Sequence, residues 1–512
     1  MRKYIFVLST VLVLVAGNLS GQTAGVILHP ADPKIIINKN IYGHFAEHLG
    51  HCIYEGIYVG DSNRIIPNTE GVRNDIIAAL KKLKVPVLRW PGGCFADTYH
   101  WKDGVGPRKD RPTMINTWWG GVTEDNSFGT HDFLNFCERI GADPYLAGNA
   151  GSGTVMELSQ WVQYVNGTGV SPMSSWRKAN GHDKPWNVRY FGVGNEAWGC
   201  GGNMTAEYYS NIYRQYATFM TGDHLFRVAS GANADDFHWT EVMMRDIPKN
   251  LIEGVSLHYY AVIDWNAKGP DTGFSRQQYF ATMKRALRME ELISRHVTIM
   301  DKYDPEKRTA LVVDEWGGWY DVQKGTNPSF LFQQNTMRDA MLAGVTLNIF
   351  NNHCDRVRMA NLAQIVNVLQ SVILTSGQKI ILTPTYHVME MYNVHQDATL
   401  IPLSLQNIYY KDGNDSLPAI SVSASRDKAG ITHISLVNID PEKTNKVRIQ
   451  WQGSALKLES GRILKSDRIQ DHNNFDEPDK IKPLVFQGAV IKNGEIIVDM
   501  PAASVVVLTV HE

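Results

Sequence analysis

Two apolar runs in this chain each end in a glutamate. Val188-Arg189-Tyr190-Phe191-Gly192-Val193-Gly194-Asn195-Glu196-Ala197-Trp198 delivers a carboxylate with an amide just before it, and Leu311-Val312-Val313-Asp314-Glu315-Trp316 delivers a second. Two strand-borne carboxyl groups are the minimum equipment for cleaving a glycosidic bond. One protonates the leaving oxygen and the other attacks the anomeric carbon or activates water, through a cationic, sugar-like transition state. That chemistry needs one carboxyl neutral while the other is charged, so the site must push their proton affinities apart. Mutual repulsion of two close carboxylates, with one of them kept charged by neighbouring donors, does so. Asn195 is placed to hydrogen-bond a sugar hydroxyl beside the reacting carbon. Trp198 and Trp316 offer aromatic faces that either stack on a sugar ring or pack in the core.

Residues so far apart in sequence meet only if the fold brings their strands back to one place. Between about Ile41 and Thr383, short apolar runs alternate with stretches of helical periodicity, the pattern of βα units around a parallel sheet. Eight strands are expected: Ile41 to Phe45, Val85 to Trp90, Asp143 to Asn149, Val188 to Glu196, Arg227 to Asn233, Gly254 to Tyr260, Thr309 to Trp316 and Leu347 to His353. Helical spacing is clear over Asn74 to Leu83, Ala206 to Met220 and Phe280 to His296. The fold class is therefore α/β, a (β/α)8 TIM barrel over residues 39–384, with Glu196 ending the fourth strand and Glu315 the seventh. Most of the other strands also end in polar or turn residues: Glu47 and His48, Pro91-Gly92-Gly93, Asn149, His258, and Asn351-Asn352-His353. A barrel gathers such ends on one face, where active sites lie. After about Pro384 the runs alternate polar and apolar between Asp, Asn, Gly and Lys turns, as in Ser504 to Val510, which reads as a C-terminal antiparallel β-sandwich. The early apolar run from Gly25 to Ile37 is grouped with it, giving a second domain of residues 22–38 and 385–512.

Composition narrows the partners. The formal net charge of −2 comes from 50 basic and 52 acidic side chains, with no long block of either sign, which argues against nucleic acid or an anionic membrane. Arg2 and Lys3 precede an apolar run from Tyr4 to Ala16 and then Gly17-Asn18-Leu19-Ser20-Gly21. This plan predicts a signal peptide over residues 1–21 and export to the periplasm or the extracellular space. The run is short for a membrane span, and no later segment is long and apolar enough for one. Five cysteines, Cys52, Cys94, Cys137, Cys200 and Cys354, leave at least one unpaired within the chain and form no CxxC pair, so neither a disulfide scaffold nor a zinc site is expected. His44-Phe45-Ala46-Glu47-His48 fits an inverted zinc-protease pattern, but that motif needs a helix and this one follows an extended start between Gly43 and Gly50. Gly192 to Ala197 fits a dinucleotide fingerprint, but Trp198-Gly199-Cys200-Gly201-Gly202 follows where a helix is required. The reading is of a site with no metal and no cofactor. Asn166-Gly167-Thr168, Asn203-Met204-Thr205 and Asn414-Asp415-Ser416 are glycosylation sequons that matter only in a host that uses them.

Five stretches in order carry a family likeness: Gly43-His44-Phe45-Ala46-Glu47-His48-Leu49-Gly50, Arg89-Trp90-Pro91-Gly92-Gly93-Cys94-Phe95, Gly194-Asn195-Glu196, Asp314-Glu315-Trp316 and Ala360-Asn361-Leu362-Ala363-Gln364-Ile365-Val366-Asn367-Val368. Together they resemble the α-L-arabinofuranosidases of glycoside hydrolase family 51, over the whole mature chain. The resemblance implies a barrel with a C-terminal sandwich. It implies retaining, exo-acting removal of terminal non-reducing α-L-arabinofuranosyl residues from plant polysaccharides or oligosaccharides by double displacement. It makes Glu196 the general acid/base and Glu315 the nucleophile, puts Glu47, Asn195 and Gln364 on sugar hydroxyls, and sets Tyr260 on the nucleophile. Arg89, His258 and Trp316 become supporting residues. Cys94 stands among the sugar-binding positions where many members carry asparagine, and a thiol is the poorer hydrogen-bond partner. Thr117 to Glu124, with Trp118 and Trp119, is a second place where leaving-group specificity is set. The family habit also implies a homo-oligomer. Two rivals remain: a related retaining xylosidase or endoglucanase on the same glutamate pair, and a carbohydrate-binding protein without catalysis.

Overall fold

The computed structural model describes residues 23–511 apart from 31–34, 223, 454 and 455. The leader expected over residues 1–21 lies outside the described residues. Eight parallel strands close into a barrel in sequential order: β1 (Gly43–Phe45), β2 (Val87–Trp90), β3 (Asp143–Gly148), β4 (Tyr190–Val193), β5 (Phe226–Asn233), β6 (Gly254–Ala261), β7 (Ala310–Gly318) and β8 (Val357–Ala363). Strands covered on both sides need apolar residues at every position rather than alternating ones. β7, Ala310 to Gly318, is buried along its whole length, which is why its sequence reads as a continuous run.

The connecting helices begin where the sequence supplies caps. Thr205 accepts from the Tyr208 amide ahead of the helix Ala206–Phe219. Ser275 and Gln278 form a capping box at the start of the 28-residue helix Arg276–Tyr303.

One expected strand is corrected. Leu347 to His353 is not a strand; Leu347 to Asn352 closes the helix Met337–Asn352, His353 is its C-cap, and the eighth strand is Val357–Ala363. This helix is buried on every side because it lies between the barrel and the sandwich. Asn348 and Asn351 hydrogen-bond Ser421 and Ser423, and the space a side chain at Gly344 would need is taken by Val437. A helix enclosed all round loses the polar stripe that reveals its period, so its apolar run reads as a strand. Asn351 and His353 accordingly do not reach the barrel mouth: Asn351 accepts from the Tyr42 hydroxyl and His353 pairs with Glu290.

Beyond the barrel, two sheets pack as a sandwich. The six-stranded sheet runs Thr399–Leu400, Ile420–Arg426, Thr432–Asn438, Ser504–His511, Lys457–Lys465, Leu484–Val485, and its strands pair antiparallel. The five-stranded sheet takes in Thr23–Leu28, which pairs antiparallel with Leu403–Gln406 but parallel with Asn445–Trp451. This parallel pair departs from the purely antiparallel sandwich expected. Hairpin connection forces antiparallel neighbours, and a strand arriving from the other end of the chain is free of that constraint.

Candidate active site

The C-terminal ends of the barrel strands bring both glutamates to one mouth. Glu315 sits on β7, and Glu196 lies three residues past the end of β4, with φ of 40° in the left-handed region that an L side chain rarely adopts. Gly194, with φ of 78°, starts the turn that aims it. Backbone held this way costs of order 1–3 kcal/mol and collects at functional sites. One oxygen of Glu196, one of Glu315 and a ring nitrogen of His258 lie within 4.8 Å of one another.

The two carboxyl groups have different company. Glu315 accepts from Arg89 Nη1 at 2.9 Å through Oε1 and from the Tyr260 hydroxyl at 2.8 Å through Oε2. Glu196 Oε1 is 2.9 Å from His258 Nδ1, while its Oε2 lies 3.5 Å from Cys200 Sγ. Enclosure and the charge of Glu315 raise the Glu196 pKa above the ordinary value, against the lowering by the His258 hydrogen bond. For His258, burial opposes the charge, but Glu315 and Asp314 outweigh it and the pKa rises to about 10. His258 is thus an imidazolium at neutral pH, donating through Nδ1 toward Glu196 and lying 2.9 Å from Asp314 through Nε2.

Around Glu47 the loops after β1, β2 and β8 meet. Its Oε1 accepts from the Gly93 and Phe95 amides at 3.0 and 3.1 Å and from the Trp119 indole at 2.9 Å. Its Oε2 accepts from Gln364 Nε2 at 3.0 Å. Burial and the charge of Glu315 still push Glu47 up to about 7. Gln364 Oε1 is buried with no hydrogen-bond partner among the described residues, an acceptor fit for a hydroxyl. Asn195 Oδ1 accepts from Arg89 Nη2 at 2.6 Å. Between these groups runs the backbone of Gly93, where a Cβ would lie 2.9 Å from Glu315 Oε1 and 3.5 Å from Asn195 Nδ2. The double glycine therefore keeps open the space beside the nucleophile candidate.

Several readings change. Cys94 carries no thiol: it is disulfide-bonded to Cys200, so it has no hydrogen to donate to a sugar. Trp316 is wholly buried against Phe350 and supports β7 from the core, so it offers no stacking face. Trp198, by contrast, is partly exposed and lines the cavity beside Glu196. Trp119 spends its indole N–H on Glu47, while Trp118 is exposed. In the histidine pattern, His48 accepts from the Trp90 indole and faces Glu124, and His44 is enclosed in β1.

Sequence reasoning missed three residues. Asp97 accepts from the Ala150, Gly151 and Asn195 amides, tying together the loops after β2, β3 and β4. Asp314 takes the Tyr145 hydroxyl at 2.9 Å as well as His258. Only Asp314 carried a signal, its place beside Glu315, since a buried acid in a loop and a strand tyrosine have no spacing signature.

A cavity of about 660 Å³ opens from Glu196, His258 and Tyr260 and is lined further out by Trp265 and Trp319. Tyr260 to Trp319 and Trp319 to Trp265 are edge-on pairs at 5.1 and 5.4 Å. Glu47 and Gln364 do not line it. The polar groups gathered around Glu47 thus lie outside the aromatic cleft that opens from Glu196.

The chain is similar to known proteins along nearly its whole length. The family described as "Alpha-L-arabinofuranosidase 1 domain" matches residues 79–278, and "Alpha-L-arabinofuranosidase C-terminal domain" matches 314–504. The chain is 49% identical over 507 residues to a Bacteroides ovatus protein named intracellular exo-alpha-L-arabinofuranosidase, covering 98% of each chain. It superposes on the family 51 arabinofuranosidase of Xanthomonas axonopodis pv. citri with a TM-score of 0.94 and 46% identity, over 96% of this chain and 100% of that one. The Thermotoga maritima α-L-arabinofuranosidase in complex with arabinose follows at 0.84 and 29%, over 95% and 99%. The first of these corrects the expectation of export: a relative matched from end to end is named as intracellular, and the residues read as a leader lie outside those described.

Proposed function

The chain belongs to the α-L-arabinofuranosidases of glycoside hydrolase family 51, and we propose that Glu315 and Glu196 divide its retaining, double-displacement chemistry between them. The observation that carries this is the approach of the two carboxyl groups to within 4.8 Å on one barrel face, with unlike partners. A separation of about 5–5.5 Å suits a direct nucleophile, whereas inversion needs about 6.5–9.5 Å to admit water. Glu315, fixed by Arg89 and Tyr260, attacks the anomeric carbon and forms the arabinosyl-enzyme. Glu196, whose proton affinity is raised, donates to the departing oxygen and then takes a proton from the incoming water.

Glu47, Asn195 and Gln364 hold the hydroxyls of one terminal arabinofuranose, and the disulfide of Cys94 and Cys200 lies beside Asn195. Exo action, the removal of one terminal residue at a time, belongs to the same proposal. The aromatic cleft takes the leaving saccharide, from an arabinose-bearing plant polysaccharide or its fragments. Residues 39–384 carry this chemistry, and the sandwich of residues 22–38 and 385–512 braces the barrel from outside. A homo-oligomer belongs to the same proposal and is read by light scattering.

The deciding experiment is hydrolysis of 4-nitrophenyl α-L-arabinofuranoside in the presence of methanol. Retention gives methyl α-L-arabinofuranoside; the β-anomer as first product overturns the mechanism. Parallel assays on xylosides and β-glucans separate the rival specificities.

A further inference from the structure

Cys94 and Cys200 join the rim turn after β2 to the turn that follows Glu196, with Cα atoms 5.4 Å apart. Both are partly exposed, whereas Cys52, Cys137 and Cys354 are buried free thiols. The two bridge sulfurs and a carboxylate oxygen of Glu196 all lie within 4.8 Å of one another.

We propose that this bridge conceals a metal site: once reduced, Cys94 and Cys200 bind a thiophilic divalent cation, Zn²⁺ foremost, together with the Glu196 carboxylate. Reduction by a dithiol reductant supplies two electrons and two protons; the S–S bond breaks, two thiols form, and the reductant leaves as its own disulfide. Cation binding then releases both thiol protons to solvent, since the ligands are thiolates. Zinc takes sulfur at about 2.3 Å and carboxylate oxygen at about 2.0–2.2 Å, so tetrahedral ligands sit roughly 3.5–3.8 Å apart. Once the bond between them is broken, the two sulfurs swing apart to that spacing by side-chain rotation, and neither has to approach the Glu196 oxygen by more than about 1 Å. Three protein ligands leave the fourth position to water. Paired thiolates favour zinc over magnesium or calcium. The oxidised bridge offers no thiolate, so the same place binds nothing until it is reduced.

A second cluster, Glu196 with His258 and Glu315, competes poorly as a cation site. Both ring nitrogens of His258 already face carboxylates, Glu196 and Asp314, so neither is free to ligate. A cation held by Glu196 also occupies the proposed proton donor. Reduced enzyme is therefore inhibited by zinc and oxidised enzyme is spared; this arm alone rests on the function proposed above.

The test uses the full chain, reduced with dithiothreitol and desalted without oxygen. The count of reactive thiols in the folded protein rises by two. Zn²⁺ titrated against a chromogenic chelator then binds one equivalent, at least 100-fold tighter than to oxidised protein. Co²⁺ in its place gives a thiolate-to-metal charge-transfer band. Cys94→Ser and Cys200→Ser each weaken binding at least 100-fold, and Glu196→Gln weakens it by a smaller factor. A thiol count that does not rise, equal binding by oxidised protein or by both serine variants, or a Co²⁺ spectrum without the thiolate band overturns the site. That spectrum decides the matter on the wild-type chain even where a serine variant fails to fold. Tight binding that leaves activity intact while Glu196→Gln still weakens it upholds the metal site and counts against Glu196 as the acid.

Discussion

Replacing His258 with asparagine tests the division of labour between the two glutamates most directly. The imidazolium lies 2.9 Å from Glu196 Oε1, and its hydrogen bond and charge both lower the Glu196 pKa. Removing it leaves burial and the repulsion of Glu315 less opposed, so the proton affinity of Glu196 rises further. A hydrogen bond to a charged group contributes about 1.5–3 kcal/mol, and one pKa unit is 1.36 kcal/mol, so the shift is about one to two units upward. A general acid acts while protonated, and activity is lost as pH rises through its pKa. The alkaline limb of kcat/KM in His258→Asn therefore moves to higher pH by about one to two units. The assay is a pH profile on an alkyl α-L-arabinofuranoside, whose poor leaving group demands the proton. A nitrophenyl arabinoside is the control, because its leaving group departs without one and its alkaline limb should respond less. An alkaline limb that stays in place or moves to lower pH refutes the reasoning, whatever happens to the plateau.

Glu196→Ala should lower kcat/KM on the alkyl arabinoside by about 10²–10⁴-fold, the usual worth of a general acid, and by less on the nitrophenyl substrate. Azide, a small anion that fits the vacated place beside His258, should partly restore turnover of the activated substrate and yield the arabinosyl azide; equal losses on both substrates count against the assignment. Gly93→Ala puts a Cβ 2.9 Å from Glu315 Oε1 and should cost on the order of 100-fold in kcat/KM, the scale of a misplacement of about 1 Å at a reacting centre. Near wild-type activity in that variant would move the sugar away from Gly93. Trp265→Ala removes an exposed ring of the aromatic cleft and should raise KM for arabino-oligosaccharides about 2–12-fold, from roughly 0.5–1.5 kcal/mol of aromatic contact. An unchanged KM places the leaving saccharide elsewhere.

Much of the barrel was legible because parallel strands buried on both faces announce themselves as apolar runs, as Leu311-Val312-Val313 does. The eighth strand was not, since Val357-Arg358-Met359-Ala360-Asn361-Leu362-Ala363 alternates with polar residues while the helix before it is apolar all round. Tertiary enclosure of Met337–Asn352 by the sandwich erased the local signal, and no window of sequence contains that neighbour. The site divides in the same way. Glu47, Glu196 and Glu315 stand out because each is an acid just where an apolar run stops. The roles of Arg89, His258 and Tyr260 were reached through the family resemblance, and the structure brings these residues together with the glutamates. The Cys94–Cys200 bond was invisible: 106 residues separate the partners, and an odd set of five cysteines allows many pairings. Asp97 and Tyr145 act on other side chains or on backbone amides rather than on the mouth of the barrel, so their chemistry has no spacing to read.

The contrast between the glutamates extends from charge to access. The Glu196 side chain keeps 19% of its surface open and borders the aromatic cleft, while Glu315 keeps 7%. Double displacement asks for that asymmetry. Between its two halves the acid/base takes a proton from water that arrives where the leaving group has departed, so it must stand at the cleft. The nucleophile forms a covalent ester that premature water would break, so it belongs beneath the sugar, with donors from protein rather than solvent. Arg89 joins the two requirements: through Nη1 it steadies Glu315, and through Nη2 it fixes Asn195, the residue immediately before Glu196. Substituting Arg89 would therefore disturb both halves of the reaction at once, whereas His258→Asn acts chiefly on the proton.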